Sequence, residues 1–414
     1  MPTNIGFSGA RSAFPAFHKV TAKIAACRKI PVNLPEFIYL WGFQKKSVVP
    51  VLIVAAWSVI IVQLIYFVMF LIAFGRRRAT TPGATPPVSV IVCAHDEEHN
   101  LKELIPLLLQ QDYPEYEVII VEDRSNDSTY DYLLQATKEH PRLKMVRVRF
   151  LPDHITGKKF ALTLGVKAAL HDWVLLTDAD CRPIGNQWIR SMASTMEPSR
   201  QIVLGYSPYS SGPGYLNGFI RFESLITAVQ FMGWALLNKP YMGTGRNLAY
   251  RKSLFLDNKG FNEHLSVTGG DDDLFVNQHA RSGNTAVSLG AKGLVRSIPK
   301  ATWRTFLYQK LRHLSVGKRY HILDKARLGL FSMTWILSWA LVPFILQPSS
   351  FWTFLWVGLV VRELVLIMLV HRASRTLGDA FEAWKTPLLD FNYAIYYLGT
   401  GLVALVSKRI RWKI

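Results

Sequence analysis

Cysteine is scarce in this chain of 414 residues, and Cys27, Cys93 and Cys181 lie far apart without a C-x-x-C pair. This spacing argues against a disulfide framework or a zinc site, and it is typical of a reducing compartment. Long Lys/Arg blocks, zinc-finger spacings and internal repeats are also missing, which disfavours nucleic acid as the partner. The formal net charge of +19 instead predicts a phosphate-bearing substrate or an acidic lipid surface.

Charged residues are absent from residues 48–74, a stretch long enough to predict a transmembrane helix. Residues 1–47 form a basic leader without the apolar core and cleavage site of a signal peptide. Three arginines, at 76 to 78, follow the apolar stretch, so the positive-inside rule places the next domain in the cytoplasm. Residues 75–87 are interpreted as a linker.

Strand-like and helix-like stretches alternate in the first half of residues 88–300. The predicted strands are residues 88–93, 117–122, 144–149 and 174–177, and the predicted helices between them are residues 100–111, 129–139 and 158–169. This order predicts an α/β domain with a mostly parallel sheet and helices on both faces.

The C-terminal part is rich in basic, aromatic and apolar residues. Residues 301–327 are interpreted as an amphipathic interfacial segment, and residues 328–414 as a membrane region that ends in a basic tail. Apolar stretches cover residues 328–346, 351–370 and 387–406, the second with Arg362 and Glu363 at its centre, where charges usually face a bundle interior. Three full spans would leave the basic tail outside, so two or three helices stay open alternatives.

Polar residues follow the predicted strands at their carboxyl ends, where open α/β sheets bind ligands. Glu97 and Asp123 follow the first two strands, in turns that could equally cap the next helices. Lys158 and Lys159 begin a helix, where a basic pair suits a diphosphate or is simply solvated. Asp178 and Asp180, after the fourth strand, suit a hard divalent cation shared with a phosphate.

Two later motifs add acidic and basic groups. Asp271, Asp272 and Asp273 follow two glycines, and one of these mutually repelling carboxylates could act as a general base on a hydroxyl or cap a helix. The i, i+3, i+4 spacing of Gln309, Arg312 and His313 places them on one face of a predicted helix. This face could bind either a diphosphate or lipid headgroups.

Taken in order, these motifs resemble the family 2 inverting glycosyltransferases with a GT-A fold, over residues 88–313. Residues 93–101 are similar to P-x-x-N-E-x-x-x-L, with Cys93 for Pro. Residues 122–127 are similar to D-D-x-S-x-D, and residues 157–162 to G-K-x-x-A-L. The acidic triplet is similar to E-D-x-D-L with Gly270 in place of Glu, and residues 309–313 to Q-x-x-R-W with His313 in place of Trp.

The resemblance implies a GT-A domain attached to transmembrane helices, and it implies a role for each matching residue. Asp178 and Asp180 are expected to hold Mn²⁺ or Mg²⁺, and Asp271 to be the catalytic base, with Asp272 as its rival. The nucleotide sugar is expected to contact Cys93, Ala94, Glu97, Asp123, Lys158, Lys159, Asp178, Ala179, Gln309, Arg312 and His313.

The implied activity is transfer of a sugar from a UDP- or GDP-sugar to a hydroxyl of a lipid or lipid-linked glycan, with inversion. His313 in place of Trp favours a single transfer over the processive synthesis of a polysaccharide. A catalytically idle membrane scaffold is the alternative from another class. The charge pattern further predicts a multi-pass protein of the plasma (inner) membrane with a cytoplasmic catalytic domain.

Overall fold

The computed structural model describes residues 34–76, 85–153, 155–265, 267–345 and 350–406. The chain divides into two units between Ala55 and Ala56, and the second contains both β-sheets. The predicted leader up to residue 33, most of the predicted linker and the basic tail from residue 407 lie outside the described residues.

After helix α1 (Leu34–Gly75), four strands alternate with three helices. The strands are β1 (Val88–Ala94), β2 (Tyr116–Asp123), β3 (Leu143–Val148) and β4 (Trp173–Asp178), and the helices are α2 (Glu98–Leu109), α3 (Thr129–Glu139) and α4 (Gly157–Ala168). All seven predicted elements are confirmed, because short, near-continuous apolar runs with turn residues between them are typical of buried parallel strands.

The second half of the domain contributes shorter elements. They are β5 (Cys181–Pro183), α5 (Trp188–Ala193), β6 (Ile202–Leu204), α6 (Tyr215–Leu236), β7 (Leu248–Arg251), α7 (Lys252–Asp257), α8 (Asp273–His279), β8 (Thr285–Val287) and β9 (Val295–Ser297). The main sheet has the order β3-β2-β1-β4-β7-β6-β8, and β5 pairs with β9 in a second, small sheet.

The pairing of β1 with its two neighbours brings three strand ends together. β1 runs parallel to both β2 and β4, with Ala94 opposite Glu122 and Cys93 opposite Asp178. β7 then pairs with β4 in the antiparallel direction. The predicted mostly parallel sheet is confirmed, and the carboxyl ends of its central strands form one edge.

Helices cover both faces of this sheet because successive strand residues point in opposite directions. Ile91 and Ile119 belong to the same buried cluster as Val166 of α4. Their strand neighbours Val90 and Val118 belong to a second cluster, with residues of α2 such as Leu104. The edge of the sheet is therefore held between two packed layers.

α6 is a long helix that the sequence patterns did not single out. Most of its residues are buried, so it has no polar face to produce a helical periodicity. Its aromatic residues pack edge to face, Phe222 on Tyr393 and Trp234 on Phe70. α6 thereby joins the sheet domain to the helical region.

The C-terminal helices are α9 (Trp303–Gly317), α10 (Ile322–Ala340), α11 (Val342–Ile345), α12 (Ser350–Leu377) and α13 (Thr386–Val406). Two segments of the described chain are long and apolar enough to cross a membrane, Val51–Gly75 and Phe354–Leu377, with mean hydropathies of 2.6 and 2.0. They coincide with the predicted spans at 48–74 and 351–370. The other two predicted spans form helices as well.

A buried ion pair links two of these helices. Arg362 of α12 donates to both carboxylate oxygens of Asp390 of α13, at 2.6 and 3.2 Å. The Trp339 indole donates to the same carboxylate at 2.8 Å, and Glu363 accepts from Arg362 at 3.2 Å. Arg362 therefore faces the interior of the helical region, as expected for a charge in the middle of an apolar stretch.

Candidate active site

Lys158 connects two acidic motifs that lie far apart in the chain. Its ammonium donates to Asp178 Oδ1 at 2.9 Å and lies 3.2 Å from Asp271 Oδ2. Burial opposes the charge, but Asp178, Asp271 and Asp272 outweigh it and raise the pKa of Lys158 well above its ordinary value. The end of β4, the start of α4 and the acidic triplet therefore form one site, with Lys158 charged at its centre.

The end of β4 can hold a divalent cation. Ligand atoms of Asp178, Asp180 and Cys181 lie within 4.8 Å of one another. Burial, with the two carboxylates nearby, raises the pKa of the Cys181 thiol to about 12, and its Sγ lies 3.0 Å from Ser297 Oγ. The neutral thiol is a poor ligand, which leaves the carboxylate oxygens of Asp178 and Asp180, and an oxygen pair fits Mn²⁺ or Mg²⁺.

The acidic triplet divides into residues with different contacts. Asp272 accepts from the backbone N–H of Gly245 at 2.6 Å and from that of Asp273 at 2.8 Å, and so caps α8. Asp273 accepts from the Tyr320 hydroxyl at 2.7 Å, and burial with the Asp272 charge raises its pKa to about 8. Asp271 alone of the three is paired with Lys158.

Asp271 is nearly enclosed and ionised. Its side chain is 10% exposed. Burial opposes its charge, but Lys158 and a backbone hydrogen bond lower the pKa of the carboxyl below its ordinary value. Asp272, which lacks a lysine at contact distance among the described residues, has its pKa raised by burial and by Asp271.

The backbone conformation at position 270 explains why glycine stands there in place of the glutamate of the related motif. Its φ is +79°, in the left-handed region that glycine tolerates and other residues rarely adopt. A Cβ at this position would also lie 2.5 Å from Cδ1 of Leu274. A glutamate cannot replace Gly270 without movement of this turn.

The loops after β1 and β2 are bound to each other. Asp96, at φ +56°, accepts from the backbone of Asn126 at 2.6 Å. The His95 ring lies 2.6 Å from the backbone oxygen of Asp123, whose carboxylate accepts from Arg124 Nε at 2.8 Å. Asp123 is therefore held in place at the edge of the sheet, where a contact with the nucleotide sugar was predicted.

The other predicted residues of the first strand lie beside the aspartates. Burial raises the pKa of the Cys93 thiol, which keeps it neutral. Burial also raises the pKa of Glu97, with Asp180 and Asp178 adding to the effect and the Asn100 amide opposing it. Ala94 and Ala179, at the ends of β1 and β4, are buried.

The two adjacent lysines have different environments. Lys159 is 1% exposed, and its ammonium donates to the backbone oxygens of His264 and Val267 at 2.5 and 2.8 Å. Lys159 thus holds the loop before the acidic triplet, and its predicted contact with the donor stays a prediction. Before them, a Cβ on Gly157 would lie 3.0 Å from the Asp123 carboxylate, so a larger residue there would have to displace that side chain slightly.

α9 adds the residues of the last motif. Gln309 Oε1 is buried without a hydrogen-bond partner among the described residues. His313 is exposed by its surface area, although protein atoms surround its ring. Burial, then Lys310, Arg312, Arg246 and Lys158, lower the pKa of His313 well below its ordinary value. The neutral imidazole lies in the same positive field as the Lys158 ammonium.

Sequence reasoning missed three residues of this region. Tyr320 and Cys181 belong to no motif, and only the fold brings them to the carboxylates. Arg246 was within the glycine-punctuated loop at residues 243–251 but was given no role. The glycines of this loop could have indicated Arg246, because glycine allows a backbone to approach a ligand closely.

Comparison with known proteins finds a family model that matches part of the domain. Residues 89–257 match the model of glycosyl transferase family 2. A mannosyltransferase from Pyrobaculum calidifontis, solved in complex with GDP-Man and Mn²⁺, superposes with a TM-score of 0.57 over 86% of this chain and 99% of its own, at 16% identity. At that identity the likeness concerns the fold alone, which is that of a GT-A domain.

Two curated relatives are similar over parts of the chain. The probable glycosyltransferase YdaM of Bacillus subtilis is 25% identical over 291 residues, 64% of this chain and 66% of its own. The beta-monoglucosyldiacylglycerol synthase of Trichormus variabilis is 39% identical over 116 residues, 27% of this chain and 24% of its own. In both alignments the chain spans less than two thirds of the relative.

Proposed function

Because residues 89–257 form a family 2 glycosyltransferase domain with a GT-A fold, we propose that this chain is an inverting, membrane-bound transferase. It moves one sugar from a nucleotide-diphosphate sugar to a hydroxyl of a lipid or lipid-linked glycan. The observation that carries the proposal is the position of Lys158 between Asp178 and Asp271. One cation there connects the predicted donor aspartates with the predicted base.

In the proposed reaction, an oxygen of Asp271 accepts the proton of the acceptor hydroxyl. The hydroxyl oxygen attacks the anomeric carbon, and the bond from that carbon to the diphosphate breaks. The sugar is then bound to the acceptor with inverted configuration, and a nucleoside diphosphate leaves. The lowered pKa of Asp271 supports its role, since a base must be ionised before it accepts a proton.

The leaving diphosphate gains charge, and the site contains groups that can offset it. Lys158 can donate to its oxygens, and Arg312 can add a second cation from α9. His313 is neutral because its pKa is lowered, so in this proposal it acts as a hydrogen-bond donor. Mn²⁺ or Mg²⁺, held by Asp178 and Asp180, would neutralise part of the same charge.

Asp271 is favoured over Asp272 as the base by their hydrogen bonds. Both oxygens of the Asp272 carboxylate are occupied by backbone N–H groups that order the loop and cap α8. Asp272 is therefore assigned a structural role in this proposal. Asp123 and Glu97 remain proposed contacts of the nucleotide.

The membrane part of the proposal rests on two apolar helices, Val51–Gly75 and Phe354–Leu377. Arg76 directly follows the first, which favours a cytoplasmic catalytic domain in a multi-pass protein of the plasma (inner) membrane. A lipid-anchored acceptor would then lie in the same surface as the enzyme. The similarity of one segment to the beta-monoglucosyldiacylglycerol synthase supports a lipid acceptor.

A donor panel tests the proposal. Full-length protein in detergent is titrated with UDP- and GDP-sugars plus Mn²⁺, and melting is followed. Binding of the correct donor should raise the melting temperature, whereas Asp180→Ala should show little shift. If no donor stabilises the protein or is hydrolysed, the chain is an idle scaffold and the proposal is wrong.

The length of the product separates the two enzyme hypotheses. Radiolabelled donor is supplied with a membrane lipid extract, and the products are resolved by size. A single added sugar supports the proposed transferase. A ladder of long products would favour a processive polysaccharide synthase, which the loss of the Trp at His313 disfavours.

A further inference from the structure

Arg246 presents a half-buried guanidinium with unused hydrogen-bonding capacity. It lies in the loop between α6 and β7, and its guanidinium carbon is 4.6 Å from the centroid of the Tyr209 ring. Its Nη1 is buried and has no hydrogen-bond partner among the described residues. A buried N–H without an acceptor is costly, so a ligand that accepts from it would bind favourably.

The backbone on both sides of Arg246 is anchored. The N–H of Gly245 donates to Asp272 at 2.6 Å. On the other side, the Asn247 amide donates to the backbone oxygens of Tyr206 and Gly293, both at 2.8 Å, and accepts from Trp188 at 3.0 Å. Arg246 is therefore held in a preformed loop, so little conformational entropy is lost when it binds a ligand.

The neighbours of Arg246 locate it beside the acidic triplet, because the N–H of the preceding Gly245 donates to Asp272. Arg246 interacts electrostatically with Asp178 and Asp180, and it contributes to the lowered pKa of His313. The positive charge of Arg246 therefore affects groups at the end of β4 and on α9. The diphosphate of a donor held by these two elements would lie within its field.

We propose that Arg246 donates hydrogen bonds to the diphosphate of the nucleotide sugar, and that its charge opposes binding of the free metal ion at Asp178 and Asp180. The inference rests on the proposed function, because it needs a diphosphate donor. Arginine suits this role, since its planar guanidinium can donate two parallel bonds to phosphate oxygens. Contact with the Tyr209 ring restricts the movement of the guanidinium.

A purely structural role would give a different pattern of binding. If Arg246 only packed against Tyr209, its removal would disturb all ligands of the site in the same direction. A diphosphate contact predicts opposite signs instead. The diphosphate should lose affinity because it loses its donor, and free Mn²⁺ should gain affinity because a repelling charge is removed.

The test compares Arg246→Met with Arg142→Met in the full-length protein. Arg142 also covers a tyrosine ring, that of Tyr116 at 4.9 Å, but it precedes β3 at the opposite edge of the sheet. Calorimetry gives the affinity for UDP and GDP with Mn²⁺ and for the matching monophosphate. Electron paramagnetic resonance gives the affinity for Mn²⁺ alone.

For Arg246→Met we expect about a tenfold to hundredfold loss of nucleoside diphosphate affinity, the range for a charge-assisted hydrogen bond. The monophosphate should change by less than about threefold and Mn²⁺ should bind more tightly, by about twofold or more. Arg142→Met should match the original protein in all three titrations. Arg246→Lys keeps the charge but not the planar pair of donors. It should lose less diphosphate affinity than Arg246→Met and leave Mn²⁺ binding unchanged.

Unchanged diphosphate affinity in Arg246→Met would overturn the inference, and so would a parallel loss of diphosphate, monophosphate and Mn²⁺. If Arg246→Met does not fold, Arg246→Lys decides: full diphosphate affinity there contradicts a bidentate contact. If the original protein binds no nucleoside diphosphate, the proposed function itself fails. If the original protein and Arg246→Met bind the nucleoside diphosphate equally well, the inference alone fails.

Discussion

Two clusters in this molecule each combine one cation with two carboxylates, and they differ in exposure. In the helical region, Arg362 contacts Asp390 and Glu363, and the side chains of Arg362 and Asp390 are 2% and 0% exposed. At the sheet edge, Lys158 contacts Asp178 and Asp271, and the side chains of Lys158 and Asp178 are 40% and 32% exposed. The same chemical groups thus form a closed pair in one place and an open cleft in the other.

The difference follows from the geometry of the two cations. Two nitrogens of Arg362 donate hydrogen bonds to the Asp390 carboxylate. The Trp339 indole donates a third. Lys158 instead extends one ammonium between carboxylates of separate elements, and its side chain stays 40% exposed. A closed pair contributes to folding and holds helices together, whereas an open one can exchange its partners for those of a ligand.

The largest effect is expected from Asp271→Asn, which should lower the transfer rate about 10²- to 10⁴-fold, the range for loss of a general base. Nucleotide-sugar affinity should be kept, because Lys158 is then released from one of its carboxylates. Initial rates and donor titrations measure both. Normal turnover would disprove the assignment of Asp271, and Asp272→Asn provides the comparison, with lost stability expected from the missing α8 cap.

Next in size is Arg362→Met in the closed cluster. It leaves the buried Asp390 without its partner, so stability should fall by about 3–5 kcal/mol, seen as a lower melting temperature in detergent. Donor affinity of the folded fraction should not change. The double variant Arg362→Met/Asp390→Leu removes both charges and should recover most of the loss. A single variant as stable as the original would show that the ion pair is dispensable.

A smaller effect is expected from Asp180→Ala in the open cluster. The affinity for a nucleoside diphosphate with Mn²⁺ should fall about 10- to 100-fold, as is typical when the surroundings of a metal are disturbed, without loss of stability. Asp112→Ala is the control, since that carboxylate pairs only with exposed Arg190 in the described structure. An unchanged Mn²⁺ dependence for Asp180→Ala would exclude it as a metal ligand.

A further effect is a pH dependence from Asp273, whose folded pKa is raised to about 8 from an ordinary value near 3.9. Between these values folding takes up a proton, so the contribution of Asp273 to stability falls as the pH rises and levels off above about 8. Asp273→Asn does not titrate, so it should gain stability relative to the original between pH 5 and 8. Melting temperatures at both values test this, and a constant difference would mean that Asp273 is ionised in the fold.

Much of the fold was predictable from local patterns. The strands β1, β2, β3 and β4 were predicted because apolar runs end at polar turns, and parallel pairing follows from the helices between them. α6 was not predicted, because a helix buried on all sides has no periodic pattern. The antiparallel β7 was not predicted either, since its pairing with β4 joins segments far apart in the chain.

For the site, the amino-acid sequence by itself determined which chemical groups were available: the aspartates at 178, 180 and 271, Lys158, and the basic residues of α9. It did not determine their partners. Only the tertiary structure decided that Lys158 bridges the acidic motifs while Lys159 holds a loop, that Asp272 caps a helix while Asp271 pairs with Lys158, and that Arg246 packs on Tyr209 next to the loop that Asp272 holds. The reason is physical: residue type sets charge and hydrogen-bonding capacity, but burial and distance set whether that capacity is used within the fold or left for a ligand.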